Sequence, residues 1–257
     1  RRWYFVLRHG RVGRCQDFYL SMKFSIIVPL YNEELNIENL YNEINSFLKK
    51  SKYTYEIILV DDSSDDNTLN IIKNLRDSNK NKIDTSVLHN DKNIGQSLSL
   101  VKGIKFSKYN TVVTLDGDGQ NNPKDIINLV SIYEAEKNLS LIGGLRLKRH
   151  DNFIKKYSSR IANFIRMNIL DDDCIDTGCS LKVFDKTFFL KFPIFDGIHR
   201  FLPALFKGFG GKTRFIEVDH RKRIYGISKY GTIDRLFRGI KHMYMVRKII
   251  KKNKFFS

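Results

Sequence analysis

Residues 24–29, FSIIVP, form a continuous apolar run, as a strand buried on both faces requires. From 32 to 50 the period changes, and Leu35, Leu40, Ile44, Phe47 and Leu48 recur near helical spacing. A second apolar run, EIILV (56–60), precedes a stretch at 65–77 with Leu69, Ile72 and Leu75 on one side. The alternation continues with a strand at 83–89, a helix at 94–107 and a strand at 111–115. A helix at 123–137 follows, with Pro123 at its start, and then a strand at 140–145. Such a rhythm predicts an α/β fold: a mostly parallel sheet flanked by helices on both faces. After Arg146 the rhythm breaks. Residues 153–170 predict a basic helix carrying Ile154, Tyr157, Ile161, Phe164, Ile165 and Ile169. SLKVF (180–184) and TRFIEVDH (213–220) are expected as strands, with helical stretches between, and a last helix runs from about Ile233 to Lys252.

Residues 1–21 show neither period. They start basic, but no continuous apolar region or small-residue cleavage site follows, so they make a poor signal peptide. They are read as a non-native or disordered leader, 22–230 as the domain, and 231–257 as a basic amphipathic, membrane-proximal helix.

Apolar content, at 42%, is ordinary for a globular chain, whereas charge is not. Lys+Arg 45 against Asp+Glu 28 gives a net charge of +17. From Arg221 onward there are twelve basic residues and one acidic residue, Asp234. Clustering of this kind points to a polyanion: nucleic acid, an anionic membrane surface or phosphorylated ligands. Cys15, Cys174 and Cys179 are odd in number and lack zinc spacing, so they make neither a disulfide framework nor a metal knuckle. A reducing cytoplasm fits them. No apolar stretch approaches the ~20 residues that span a bilayer.

Two predicted strands end in carboxylates: TVVTLDGDGQ (111–120) in Asp116 and Asp118, and EIILVDDSSDDNT (56–68) in Asp61 and Asp62. Uncompensated buried charge is costly, and ligands of open α/β sheets bind at the carboxyl ends of strands. Asp116 and Asp118, two apart across Gly117, can face one hard cation, with Gln120 adding a neutral oxygen. Mg²⁺ or Mn²⁺ with a diphosphate is the natural occupant. An Asp-Gly turn capping the next helix would also explain this segment, and Asp61 to Asp65 would equally serve as an N-cap cluster for a helix beginning near Asp66.

VPLYNEE (28–34), LVDDSSDDNT (59–68), NIGQS (93–97) and LDGDGQ (115–120) resemble, in order and spacing, the successive motifs of glycosyltransferase family 2, whose fold is the Rossmann-like GT-A fold. The second half, with DTGCSLKVF (176–184), DGIHRFLPALF (196–206) and HRKRIYGISKYG (220–231), resembles bacterial polyprenyl-phosphate sugar synthases, relatives of dolichol-phosphate mannose synthase. The resemblance covers essentially all of residues 23–240. It implies that Pro29, Tyr31, Glu33 and Asp61, with Asp62, Asn93 and Gly95, hold the nucleotide sugar. Asp116, Asp118 and Gln120 match the metal and diphosphate site. Arg223 matches an arginine that reaches the donor diphosphate, and Ser228 and Lys229 complete its pattern. Lys155 and Ser159 fall where relatives bind the acceptor's phosphate, and Arg146 and Arg149 lie at the edge of the same cleft.

The implied reaction is inverting transfer of a sugar from a GDP- or UDP-linked donor to a polyprenyl phosphate. Its residues would be the catalytic Asp116, Asp118 and Arg223, with Mg²⁺ or Mn²⁺ as cofactor. Several negative charges meet in that reaction, and the basic helix 153–170 would offset the acceptor's. A phosphate acceptor is already ionised and needs no general base. Where some relatives carry an Asp after Thr-Gly, this chain has Cys179. A family 2 enzyme acting on a sugar hydroxyl would need a carboxylate, for which Asp176 and Asp196 are candidates. Nucleic-acid binding has no use for the strand-tip aspartates and is not expected. The last helix carries Ile233, Leu236, Phe237, Ile240, Met243, Tyr244 and Ile250 at helical spacing. Its apolar stripe is expected to pack on the protein for part of its length and to meet an anionic membrane from Ile249 onward. The chain is thus expected to be peripheral on the cytoplasmic face of the membrane, with no spanning helix.

Overall fold

The computed structural model describes residues 21–80, 82–146, 163, 165–222 and 232–256, the last helix by its backbone alone over 232–238 and 254–256. Seven strands form one sheet: β1 (Lys23–Leu30), β2 (Thr54–Asp61), β3 (Asp84–His89), β4 (Thr111–Thr114), β5 (Leu139–Leu145), β6 (Lys182–Asp185) and β7 (Lys212–Glu217). Their order is β3-β2-β1-β4-β6-β5-β7. β1, β2, β3 and β4 run parallel, as do β5 and β7, while β6 lies antiparallel between β4 and β5. The sheet is therefore mostly parallel, as the alternating pattern predicts.

The period-two alternation of side chains divides each central strand between two cores. Ile26, Val28, Ile57 and Leu59 face a core covered by α1 (Ile37–Leu48), α2 (Thr68–Asn79) and α4 (Lys124–Ala135). Ile27, Ile58 and Val60 face the other, which holds α3 (Gln96–Phe106), α7 (Leu202–Gly208) and α8 (Thr232–Phe256). Between β5 and α7 lie helical residues 165–170 (α5), β6 and the short α6 (Lys186–Phe189). Aromatic packing fixes that region: Phe188 stacks on Phe206 at 5.0 Å, and Phe192 meets Phe209 edge-on at 4.9 Å.

α1 and α2 begin later than the periodicity predicts, at Ile37 and Thr68, because residues 31–36 and 62–67 form loops rather than first turns. The last helix also differs in its inward face. Val246 is buried and Ile250 is only 8% exposed, against α7, where a Cβ on Gly208 would meet Ile250 Cγ1 at 2.6 Å. The apolar stripe therefore still packs on the protein at Ile249 and Ile250, where membrane contact is expected from sequence. Ile240 and Tyr244, counted in that stripe, instead point outward beside exposed Lys241, Arg247, Lys248 and Lys251. Among the described residues no helix is long and apolar enough to cross a membrane.

Candidate active site

The parallel register brings the ends of β1 to β4 side by side. Leu30 pairs with Asp61, and Asp61 with His89. The Asp62 N–H donates to the Leu30 carbonyl at 2.8 Å, and the Leu115 N–H to that of Ile27 at 3.1 Å. Above these ends two loops interlock. The Asn32 N–H donates to Ser64 Oγ at 3.0 Å, and the Asp65 N–H returns a bond to Asn32 Oδ1 at 2.8 Å. The Glu33 N–H donates to Thr68 Oγ1 at 2.8 Å, and Tyr31 Oη to Asp65 Oδ2 at 3.3 Å. Asn32 and Ser63 hold φ of 53° and 59°, a left-handed conformation costly for non-glycine residues that such cross-bracing can sustain.

The two aspartates ending β2 have different surroundings. Asp62 is buried and accepts three bonds: from Asn90 Nδ2 (2.8 Å), the Ile94 N–H (2.9 Å) and the Gly95 N–H (2.8 Å). It pins the loop leading into α3, whose turn needs a glycine, since Gly95 has φ 89°. Asp62 thus braces the loop into α3. Asp61 Oδ2 meets His89 Nδ1 at 2.8 Å and accepts the Ser64 N–H at 3.4 Å, while its buried Oδ1 has no partner among the described residues. Neither residue caps α2, whose N-cap is Asn67 without a side-chain cap bond; Asp66, one residue earlier, accepts the Thr68 N–H at 2.9 Å.

At the end of β4 the chain turns through Asp116, Gly117 and Asp118. A Cβ on Gly117 would meet Leu30 Cδ2 at 2.3 Å and the Pro29 carbonyl at 3.4 Å, so only glycine lets this turn lie against β1. Asp116 Oδ1 accepts from Gln96 Nε2 at 2.7 Å, and its N–H donates to Ser180 Oγ at 3.1 Å. Burial, and next the Asp118 carboxylate, push the Asp116 carboxyl up to about 6. Part of its surface stays accessible, but protein atoms crowd it enough for desolvation to dominate. Asp118 Oδ1 accepts the Gln120 N–H at 3.1 Å. The Gln120 amide nitrogen faces the Arg221 carbonyl at 3.5 Å.

Among the described residues no group of three or more His, Cys, Asp or Glu is placed to hold a metal ion. Asp116 and Asp118 nevertheless suit Mg²⁺ or Mn²⁺. Such ions take one or two carboxylates and complete their shell with substrate phosphates and water, and the like-charge repulsion raising Asp116 is what a cation relieves.

Arg146 is bound in a fork by Asp176, Nε to Oδ2 at 2.7 Å and Nη2 to Oδ1 at 2.8 Å. Burial works against its charge, but the Asp176 pair outweighs that and raises the guanidinium above its ordinary value. Its fork is thus engaged by Asp176 rather than presented to a phosphate, and Asp176 is correspondingly taken up as a base. Cys179 is buried and its thiol raised by burial, which fits an inert side chain. Cys174, also buried, is pushed up to about 12. Pro29 and Glu33 border the Gly117 turn, whereas Asn93 is exposed. Arg149, Lys155, Ser159, Arg223, Ser228 and Lys229 lie outside the described residues.

Several neighbours of the site are not singled out by sequence reasoning. Gln96 and Ser180 fall within the quoted segments NIGQS and DTGCSLKVF and hold Asp116. Ser97 Oγ pairs with His199 Nδ1 at 2.7 Å and accepts the Gly197 N–H at 2.7 Å, tying the 196–200 turn to the head of α3. Burial drives the His199 imidazole down to about 3, so this link is neutral. Ser97 and His199 lie 102 residues apart, so the sequence gives no signal of such a contact.

A family model, Glycosyl transferase family 2, matches residues 25–193. The chain is 34% identical over 223 residues to dodecaprenyl-phosphate galacturonate synthase of Rhizobium johnstonii, covering 86% of this chain and 65% of that protein. To undecaprenyl-phosphate 4-deoxy-4-formamido-L-arabinose transferase of Pseudomonas fluorescens it is 31% identical over 206 residues, covering 80% and 59%. The chain thus spans less than two thirds of either relative. Among solved structures, a mannosyltransferase of Pyrobaculum calidifontis in complex with GDP-Man and Mn²⁺ superposes with TM-score 0.58 at 16% identity, covering 86% of this chain and 61% of that one. Glucosyl-3-phosphoglycerate synthase of Mycobacterium tuberculosis, with Mn²⁺, UDP and phosphoglyceric acid, gives 0.62 at 14% identity, covering 88% and 78%. These structural likenesses establish the GT-A arrangement of sheet and helices.

Proposed function

The chain belongs to glycosyltransferase family 2, and from that premise we propose that it transfers a sugar from a nucleotide-diphosphate sugar to a polyprenyl phosphate, with inversion at the anomeric carbon. The observation that carries this reading is the paired carboxylate turn of Asp116 and Asp118, lying against the end of β1. Bound there, Mg²⁺ or Mn²⁺ would offset the charge of the leaving nucleoside diphosphate. Gln96 and Ser180 keep Asp116 aimed. A phosphate oxygen of the acceptor attacks the anomeric carbon, and the bond to the donor diphosphate breaks on the opposite face. The acceptor arrives ionised, so no side chain need remove a proton. Arg223, Ser228 and Lys229 are assigned to the donor diphosphate, and Arg149, Lys155 and Ser159 to the acceptor phosphate, by their resemblance to family motifs.

The acceptor class is supported by the two curated relatives, both named for polyprenyl-phosphate products or substrates. A lipid acceptor requires a membrane. The outward face of α8, with Lys241, Arg247, Lys248 and Lys251 around Ile240 and Tyr244, suits contact with the headgroups of an anionic cytoplasmic leaflet.

Transfer to a sugar hydroxyl is the second reading. It needs a carboxylate base, and with Asp176 bound by Arg146 this falls to Asp196, whose Oδ1 comes within 3.9 Å of where a Cβ on Gly95 would lie. The two are separated by incubating the protein with a panel of UDP- and GDP-sugars, Mn²⁺ and undecaprenyl phosphate, and analysing the lipid fraction. A lipid-linked sugar formed together with nucleoside diphosphate is expected. Turnover with an oligosaccharide but with no polyprenyl phosphate would select the second reading.

A further inference from the structure

Resting on the nucleotide-sugar reading above, we propose that Lys182 is the buried positive charge that sets the affinity of this site for the donor's diphosphate. Lysine is almost never fully buried unless it is paired. Lys182, the first residue of β6, is only 4% exposed. Its ammonium donates to the Cys179 carbonyl and pairs with no carboxylate among the described residues. A charge taken out of water without a counter-ion is costly, so its presence here calls for an explanation.

The sheet supplies one by placing that charge behind the paired carboxylates. Lys182 is the register partner of Thr114, two residues before Asp116. Paired residues share a face and side chains alternate along a strand, so all three belong to one side of the sheet. That is the side of α3, from which Gln96 reaches Asp116, and Leu141 and Phe184 make it apolar around the lysine. The bond to Cys179 turns the Lys182 side chain back toward the end of β4, where Ser180 Oγ accepts the Asp116 N–H. Burial and then Asp118 raise the Asp116 carboxyl, and against them act the Ser180 bond and next the charges of Lys182 and Arg146. Arg146 is neutralised in its fork with Asp176, and burial keeps His199 neutral. Lys182 is left uncompensated. A divalent ion on Asp116 and Asp118 cancels those two carboxylates, and Lys182 then leaves the loaded site positive. In apolar surroundings such a charge acts strongly, and a nucleoside diphosphate brings the opposite sign.

The test is calorimetric titration of the full chain with UDP and with GDP in excess Mg²⁺, for wild type, Lys182→Met and Lys182→Arg, with urea unfolding of each. Methionine fills much of the lysine's volume without its charge. Lys182→Met is therefore expected to unfold no more easily than wild type, as apolar replacement of buried charge is often neutral or stabilising. It should nevertheless lose at least about fivefold in affinity for whichever diphosphate the wild type binds, and Lys182→Arg should recover most of that loss. Stability kept while affinity falls is a pattern that a merely structural lysine does not give. Wild-type affinity in Lys182→Met would overturn the proposal. So would a joint loss of stability and affinity that Lys182→Arg does not recover, since Lys182 would then only support the fold. Failure of the wild type to bind either diphosphate would instead overturn the nucleotide-sugar reading itself.

Discussion

The ends of β2 and β4 look alike in sequence, each an apolar run closing on aspartates, yet the protein treats them oppositely. At the β2 end, Asp62 receives three donors from the protein itself, and one oxygen of Asp61 receives two more. At the β4 end two carboxylates crowd each other, and burial with that repulsion pushes Asp116 up to about 6. A satisfied carboxylate braces loops, whereas an under-compensated pair is a place for a cation. The lesson is that an aspartate at a strand end has no fixed meaning until its donors are counted.

The contrast can be broken from either side. Asp62→Ala should have the largest effect, because it leaves the Asn90 amide and the Ile94 and Gly95 N–H groups without their acceptor. A loss of about 3–4 kcal/mol in urea unfolding is expected. A change under about 1 kcal/mol would mean that the brace is dispensable. Asp118→Asn should behave the other way. Turnover should fall at least ~10²-fold while the metal-free protein unfolds no more easily than wild type, since a like charge beside Asp116 has been removed. Chelation should abolish turnover and Mn²⁺ or Mg²⁺ restore it.

A smaller effect, of a few degrees in Tm, concerns pH. In the metal-free protein Asp116 holds its proton more tightly than in the unfolded chain. Its contribution is therefore fully present below the ordinary carboxylate range near 4 and is lost as pH rises through about 6. Cation binding needs both carboxylates ionised, so stabilisation by Mn²⁺ should be larger at pH 7.5 than at pH 5. His199, held neutral down to about 3, destabilises the fold as pH falls below its unfolded value near 6.5, but equally with and without the ion. Taking the difference cancels it. Equal Mn²⁺ effects at the two pH values would place the ion elsewhere. The smallest effect is expected far from either strand end: Arg247→Glu with Lys248→Glu should weaken sedimentation with anionic vesicles about tenfold and leave donor turnover unchanged. Loss of donor turnover in that variant would mean that α8 shapes the active site.

The layered fold was legible because apolar period two and period 3.6 alternate clearly from Phe24 to Leu145, and each predicted strand there is found. The antiparallel insertion of β6 was not, since SLKVF carries no mark of direction. At the site, the sequence shows which strands end in carboxylates but not where their partners come from. Asn90, Gln96, Ser180 and His199 lie 9 to 102 residues from the groups they bind or neighbour through contacts that have no periodicity. Arg146 reads as a free cation until the fold brings Asp176 against it. The outer and inner faces of α8 are not separable by spacing alone, because Met243 and Tyr244 are adjacent and only Met243, partly buried, packs on the core.

The most direct test is Mn²⁺ binding followed by electron paramagnetic resonance, in the presence of a nucleoside diphosphate, for wild type, Asp118→Asn and Asp62→Asn. The ion should bind the wild-type complex, lose at least about tenfold in affinity in Asp118→Asn, and bind Asp62→Asn much as wild type once that variant is shown to be folded. Equal Mn²⁺ affinity in wild type and Asp118→Asn would contradict the assignment of the β4 end as the metal and diphosphate site.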